Sequence, residues 1–352
     1  MCIAFFTLSQ PGYKLILASN RDEFLARPTE PAQWHDFASS PDLSQGSDVS
    51  KPETWVLSGI DKGSANGGTW LGITKDLRVG ILTNVRLTPP TPPLKASPNP
   101  PSRGLLLKQF LSPPPGHAPD LQAYLESLYP SSGDYEGFNL LLFSLKGPKA
   151  DIGYLTNRPS PSLKDLNDLS GSSNLSKNAG CMGISNSPID EPWPKVQDGS
   201  RQMEDTLKAW QENVEDDKAL IERLFGVLSH SKEIKTAEDT KWSTTIPLID
   251  LSPTLAQRVS TPSTSGGKQK PNDEVKIKEE NPSVSVDTVT TVKQSDDKPK
   301  WYGTRTSTII LVKDNGETTF VERDILRLDG KGDPISGDVS SQRWYEFKAE
   351  VE

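Results

Sequence analysis

The chain is 352 residues long and 33% hydrophobic; its 26 glycines raise the apolar-plus-glycine share to about 40%, below the roughly 45–50% of ordinary domains, so part of it cannot form a packed core. With 39 basic against 47 acidic residues the net charge is −8, and with no basic cluster a phosphate-backbone partner is not expected. No apolar run approaches the roughly 18–20 residues of a membrane helix, and the first residues lack both the positive leader and the apolar stretch of a secretory signal.

Residues 2–8 and 14–19 are aliphatic and aromatic runs on either side of Ser9-Gln10-Pro11-Gly12-Tyr13, and they read as a hairpin whose first strand starts at Cys2. Cys2 has two readings. It is either a small buried hydrophobe, or, once Met1 is removed, a residue that carries a thiol nucleophile and an α-amine titrating at about 7.7–8.0 together. The tetrad Asn20-Arg21-Asp22-Glu23 follows the second strand, and a hairpin brings its open ends together, so Arg21 or Asp22 is placed to tune Cys2. A charged turn leading into a helix fits the same spacing.

Further along, Gly67-Gly68-Thr69-Trp70-Leu71-Gly72 lacks the spacing of a phosphate cradle and reads as a tight loop feeding a strand. Hairpins are expected over 70–74 with 78–84 and over 138–144 with 151–156. Helices are expected over 102–111, capped by Ser102, and over 119–128, where Leu121, Tyr124, Leu125 and Leu128 recur at helical spacing. Polar stretches at 37–54, 88–101 and 160–177 read as surface loops.

Cys181, ahead of Gly183, reads as core, and Asp190-Glu191-Pro192-Trp193-Pro194 as a rigid lead into a helix over 195–210, with another helix over 216–229. From 252 to 300 the chain is Ser, Thr, Pro, Lys, Asp and Glu without an aromatic residue and reads as a disordered insertion within one domain spanning 1–352. A last hairpin joins 307–313 to 318–322 through Asn315-Gly316. Hairpins alternating with paired helices point to an α+β fold of antiparallel sheets. Two cysteines and the scattered His35, His117 and His230 offer no metal-ligand spacing, so no metal site is expected and a reducing, cytoplasmic compartment is.

Several pieces recur in order from residue 1 to about 322: Met1-Cys2-Ile3, the tetrad with Phe24 and Arg27-Pro28, the Gly67–Gly72 loop, Leu82-Thr83-Asn84-Val85-Arg86 and Ser102-Arg103-Gly104. Gly137-Phe138-Asn139-Leu140, Gly183-Ile184-Ser185-Asn186-Ser187, Asp190 to Lys195 and Gly303-Thr304-Arg305-Thr306-Ser307-Thr308 complete the series. Together they resemble the NRDE family, also called the transport-and-Golgi-organisation family. The resemblance implies an N-terminal-nucleophile-hydrolase-like fold, a four-layer αββα sandwich of two antiparallel sheets, and a more remote kinship with choloylglycine hydrolases and penicillin V acylases.

Carried over residue by residue, it implies a catalytic set of Cys2, Arg21, Asp22, Asn84, Asn186 and Arg305. In that set Cys2 attacks an amide or thioester, its α-amine moves the proton under the guidance of Asp22, Asn84 donates to an oxyanion, and Asn186 and Arg305 position the acyl group. It further implies a role in Golgi organisation and protein secretion, a Golgi or mitochondrial association, a Golgi-associated protein partner and no required cofactor. Two classes stay open: an acyl-transfer enzyme, or a carrier or chaperone whose cleft holds a small-molecule or lipid ligand such as haem or an acyl chain.

Overall fold

Side chains of the first strand divide between two cores: Ile3 and Phe5 pack among helices, while Ala4 and Phe6 face a second sheet, as the two-residue period of extended chain requires. The computed structural model describes residues 2–37, 55–64, 67–86, 100–113, 120–167, 180–251 and 300–349. Its first half runs β1 (Cys2–Thr7), β2 (Tyr13–Phe24), β3 (Thr29–His35), β4 (Val56–Asp61), β5 (Leu71–Thr74), β6 (Arg78–Asn84), α1 (Gly104–Leu111), α2 (Leu121–Leu128), β7 (Phe138–Ser144), β8 (Asp151–Thr156) and β9 (Ser162–Asp165). There follow β10 (Met182–Ile184), α3 (Pro194–Glu212), α4 (Asp217–Leu228), β11 (Ile249–Asp250), β12 (Trp301–Lys313), β13 (Glu317–Asp324), β14 (Leu326–Leu328), β15 (Pro334–Ser336) and β16 (Arg343–Lys348).

One sheet has the order β10-β1-β2-β12-β13-β16 with β11 on β12; the other runs β3 to β9 in sequence; β14 and β15 form a separate ribbon. Between the sheets, Leu15, Leu17, Ile310 and Phe320 meet Ile73, Val79, Ile81, Leu141 and Phe143. Met203 and Leu207 of α3 and Leu220, Ile221 and Leu224 of α4 cover the outer face of the first sheet. Leu106, Leu107 and Phe110 of α1 and Leu121 and Leu125 of α2 cover the second. The layers are therefore helix, sheet, sheet, helix: the α+β, αββα sandwich that the resemblance implied.

Several local features depart from the sequence reading. The tetrad does not follow a strand: β2 continues through it to Phe24, because β12 supplies hydrogen-bonding partners along its other edge as far as Tyr302. Ser102 does not cap α1; Arg103 occupies the cap position and no side chain accepts from the first turn. β3, an edge strand with Pro31 at a register shift, hid behind its polar composition, and β9 lies within the expected loop at 160–177. Most of the loops expected over 37–54 and 88–101, and the insertion expected over 252–300, lie outside the described residues.

A glycine sets the seat of α3. At Gly199 a Cβ would overlap the ring of Phe5, so the helix approaches β1 only because no side chain is there. Gly→Ala in a helix interior normally gains about 0.5–1 kcal/mol. Gly199→Ala is expected to reverse that sign and lose about 1–3 kcal/mol, read as a lowered urea midpoint at unchanged m-value.

Candidate functional site

The β1–β2 hairpin pairs Cys2 with Arg21 and Ile3 with Asn20, and β2 pairs on its other edge with β12, Asp22 opposite Thr304 and Asn20 opposite Ser307. Alternation then sorts the tetrad. Arg21 shares the inter-sheet side with Cys2 and lies over the Trp70 ring, 4.0 Å from its centroid. Asn20 and Asp22 turn to the helix side.

Asn20 is fully buried and its polar groups are bonded: Nδ2 donates to the carbonyls of Leu228 at 2.9 Å and Thr244 at 3.2 Å, and Oδ1 accepts from Ser307 at 2.6 Å. It ties the end of α4 to the sheet and stays out of the cleft. Asp22, also buried, accepts from Thr304 Oγ1 at 2.6 Å. Burial raises its carboxyl above the usual range, against the opposing pull of Lys195, the Thr304 hydrogen bond and Arg21. Glu23 accepts the amide of Phe24 at 2.9 Å and stands 4.0 Å from Arg21 and 3.7 Å from Arg27.

Cys2, Arg21, Asp22, Glu23 and Asn84 all line one cleft of ≈ 400 Å³, which Trp70, Leu82, Arg27 and Arg103 complete. Cys2 is half-buried, and burial together with the charge of Asp22 pushes its thiol up, with the Asp22 amide and Arg21 opposing. Asn84 ends β6, and its side chain has no hydrogen-bond partner among the described residues. The backbone of Asn84 is fixed from behind: Asn186 Nδ2 donates to its carbonyl at 2.8 Å. Asn186 itself is fully buried and outside the cleft lining.

Arg305 is also elsewhere. The β2–β12 register shifts between Thr304 and Thr306, so Arg305 is the extra residue of a bulge and its side chain leaves the ladder. Its guanidinium holds the turn after β2, donating to the Arg27 carbonyl at 2.6 Å and to Thr29 Oγ1 at 2.9 Å. It lines a separate cavity of ≈ 120 Å³ that shares Arg21 and Trp70 with the cleft.

Two features of the site were not singled out as functional from sequence. Lys195, in the first turn of α3, is 1% exposed, and its Nζ has no hydrogen-bond partner, resting 5.6 Å from the centroid of Trp193. Burial pulls its ammonium below the usual range, with Asp22 and Cys2 acting the other way. The glycine loop has the architectural role read from sequence and one more. Gly68, at φ +149°, lies so close to Gly104 that a Cβ would stand 3.0 Å from its carbonyl carbon, which brings the start of α1 to the cleft beside Trp70. Among the described residues no cluster of three or more His, Cys, Asp and Glu could hold a metal, and no helix is long and apolar enough to cross a membrane.

Residues 1–327 match the family described as Transport and Golgi organisation 2. The chain belongs to that family. It is 30% identical over 336 residues to the Transport and Golgi organization protein 2 homolog of Bos taurus and 28% identical over 340 residues to the homolog of Mus musculus, each alignment covering 94% of this chain and 95% of the relative. Among solved structures it is similar to a mutant conjugated bile acid hydrolase from Clostridium perfringens, at a TM-score of 0.41 and 7% identity, over 100% of this chain and 98% of that one.

The buried carboxyl makes a pH prediction. A carboxyl raised in the folded state contributes stability that is fully present below its unfolded value and is lost as pH rises through the folded one. Asp22→Asn, uncharged throughout and still able to accept from Thr304, is therefore expected to differ little from wild type in acid. Its advantage should grow as pH rises to neutral, in urea midpoints measured across the series.

Proposed function

We propose that this member of the Transport and Golgi organisation 2 family is an acyl-transfer hydrolase of amides or thioesters, serving Golgi organisation and secretory transport, with Cys2 as nucleophile after removal of Met1. The observation that carries the reading is the convergence on one cleft of Cys2, Arg21 directly across the hairpin, and the unengaged amide of Asn84. The thiol sulfur would add to the acyl carbon while its proton passes to the α-amine of Cys2. The resulting oxyanion would accept from Asn84 Nδ2, a contact worth about 3–4 kcal/mol of barrier. Collapse would expel the amine or thiol, which takes the proton back, and water would then release the acyl group from sulfur.

In this scheme Arg21 favours the thiolate, Asp22 orients the amine, Asn186 holds the strand end that carries Asn84, and Arg305 holds the turn behind β2. The last two are positioning residues.

A second reading rests on the raised thiol of Cys2: with sulfur protonated, the same cleft would carry a small amphipathic ligand without turning it over. Haem or an acyl chain is the cargo that reading names. No histidine or methionine lines the cleft among the described residues and a protonated thiol is a poor iron ligand, so this reading favours an acyl chain over haem.

Iodoacetamide separates the two. In protein purified from its native cells, mass spectrometry is expected to find Met1 absent and Cys2 alkylated at least about tenfold faster than Cys181, whose buried thiol is pushed up to about 12. Asn84→Ala should keep that labelling and lower hydrolysis of p-nitrophenyl octanoate about 10²-fold. Retention of Met1 with an inert Cys2 would sink the nucleophile and leave the carrier.

A further inference from the structure

Three guanidinium groups face the cleft, and two are already engaged. Arg27 donates from Nε and Nη2 to Asp61 at 3.0 and 2.7 Å, and Arg103 donates to the Gly137 carbonyl at 3.0 Å and pairs with Glu136 at 3.2 Å. Arg21 differs. It is 6% exposed, stacks on Trp70, and has one carboxylate within salt-bridge distance, Glu23 at 4.0 Å, which it shares with Arg27. None of its five N–H donors has a hydrogen-bond partner among the described residues, and burial pulls the guanidinium below its usual range by disfavouring the charged form. These nitrogens are not among the fully buried unpartnered atoms and open onto the cleft, so an acceptor that arrives there gains charge-assisted hydrogen bonds without displacing a protein partner.

The same cleft receives the start of α1. Ser102, Arg103 and Gly104 line it, the helix has no side-chain cap and no acidic residue in its first turn, and the Gly68–Gly104 contact fixes it in place. The amides of Leu105 and Leu106 are already bonded to the carbonyls of Ser102 and Arg103, so what the helix start adds to the field of Arg21 is the positive end of its dipole.

The charge balance selects the anion. With the Asp22 side chain turned to the helix side and bonded to Thr304, Arg21, Arg27 and Arg103 stand with Glu23, Asp61 and Glu136, three cations against three carboxylates. A dianionic phosphate would enter a lining with no net positive charge to offset it. One carboxylate adds a single charge and matches the planar fork of Arg21 with two parallel hydrogen bonds.

We propose that the cleft binds ligands bearing a single carboxylate, held between the Arg21 guanidinium and the start of α1, beside Cys2. This names the substrate class for the acyl-transfer reading and rests on that reading only for the ligand's reaction, since binding does not need the thiol.

The test is calorimetric titration of the full chain with octanoate, octyl phosphate and octanol. Octanoate is expected to bind wild type and Cys2→Ser alike, octyl phosphate at least about fivefold more weakly, and octanol not measurably. Arg21→Gln should cost octanoate at least about tenfold; should that variant fail to fold by circular dichroism, Arg21→Lys, which keeps the charge and loses the fork, decides with an expected loss of about tenfold. The proposal is overturned if octanoate does not bind, if octanol matches it, if octyl phosphate binds as tightly or more so, or if a folded Arg21 variant binds octanoate unchanged. Octanoate binding alongside an inert Cys2 would uphold the carboxylate site while removing the nucleophile.

Discussion

The hydroxyl of Thr304 donates to Asp22 at 2.6 Å and accepts the amide of Ile246 at 2.8 Å, and it can do so only because β12 pairs with β2 through the whole length of the polar tetrad. A strand at the centre of a sheet cannot leave polar side chains to solvent, so each residue of the tetrad needs a partner or a cleft. Ser307 and the end of α4 serve Asn20, Thr304 serves Asp22, and Arg21 and Glu23 open onto the space between the sheets. A slip of one residue would turn Arg21 into the helix layer and Asn20 into the cleft. The register is thus both a packing constraint and the condition for a polar site beside Cys2.

How much of this the sequence disclosed depends on how local each cause was. The alternation of β1, the Asn315-Gly316 hairpin and the helical spacing of Leu121, Leu125 and Leu128 are short-range, and the elements stand where that spacing put them. The continuation of β2 through Asn20-Arg21-Asp22-Glu23 is not short-range. Four polar residues read as a strand's end unless one knows that Thr304 and Ser307, some 280 positions later, lie alongside. The bulge that turns Arg305 away is likewise a property of two strands together. Lys195 carried a faint signal, a lysine after Trp193-Pro194 at the start of an amphipathic helix, where an ammonium ordinarily reaches water; its burial follows from the seat of α3 on β1. The short edge strands β3 and β16 mix charged and apolar side chains, and only their neighbours make them strands.

Two buried carboxylates show what the site gives up. Glu322 lies 2% exposed in β13, and although burial raises its carboxyl, one oxygen accepts the amide of Ala32 at 2.8 Å from the opposite sheet and holds Arg343 at 2.9 Å, a staple between the sheets. Its removal would be felt as loss of structure alone. Asp22, equally buried, accepts from Thr304 and is acted on by Lys195 and Arg21, two cations whose side chains form no hydrogen bond among the described residues.

Where a fold needs only stability, apolar side chains of similar volume serve as well as incompletely bonded charges or better. A guanidinium without a protein acceptor at the edge of a cleft is instead what an incoming polar ligand would complete, and proteins characteristically accept such local cost where a site must bind. The contrast is between two parts of one sheet made of the same residue types. β13 pairs Glu322 with Arg343, and the end of β2 leaves the Arg21 guanidinium without a protein acceptor beside the cleft that holds Cys2. That difference in bonding is the physical ground for placing the proposed site at this end of the sandwich.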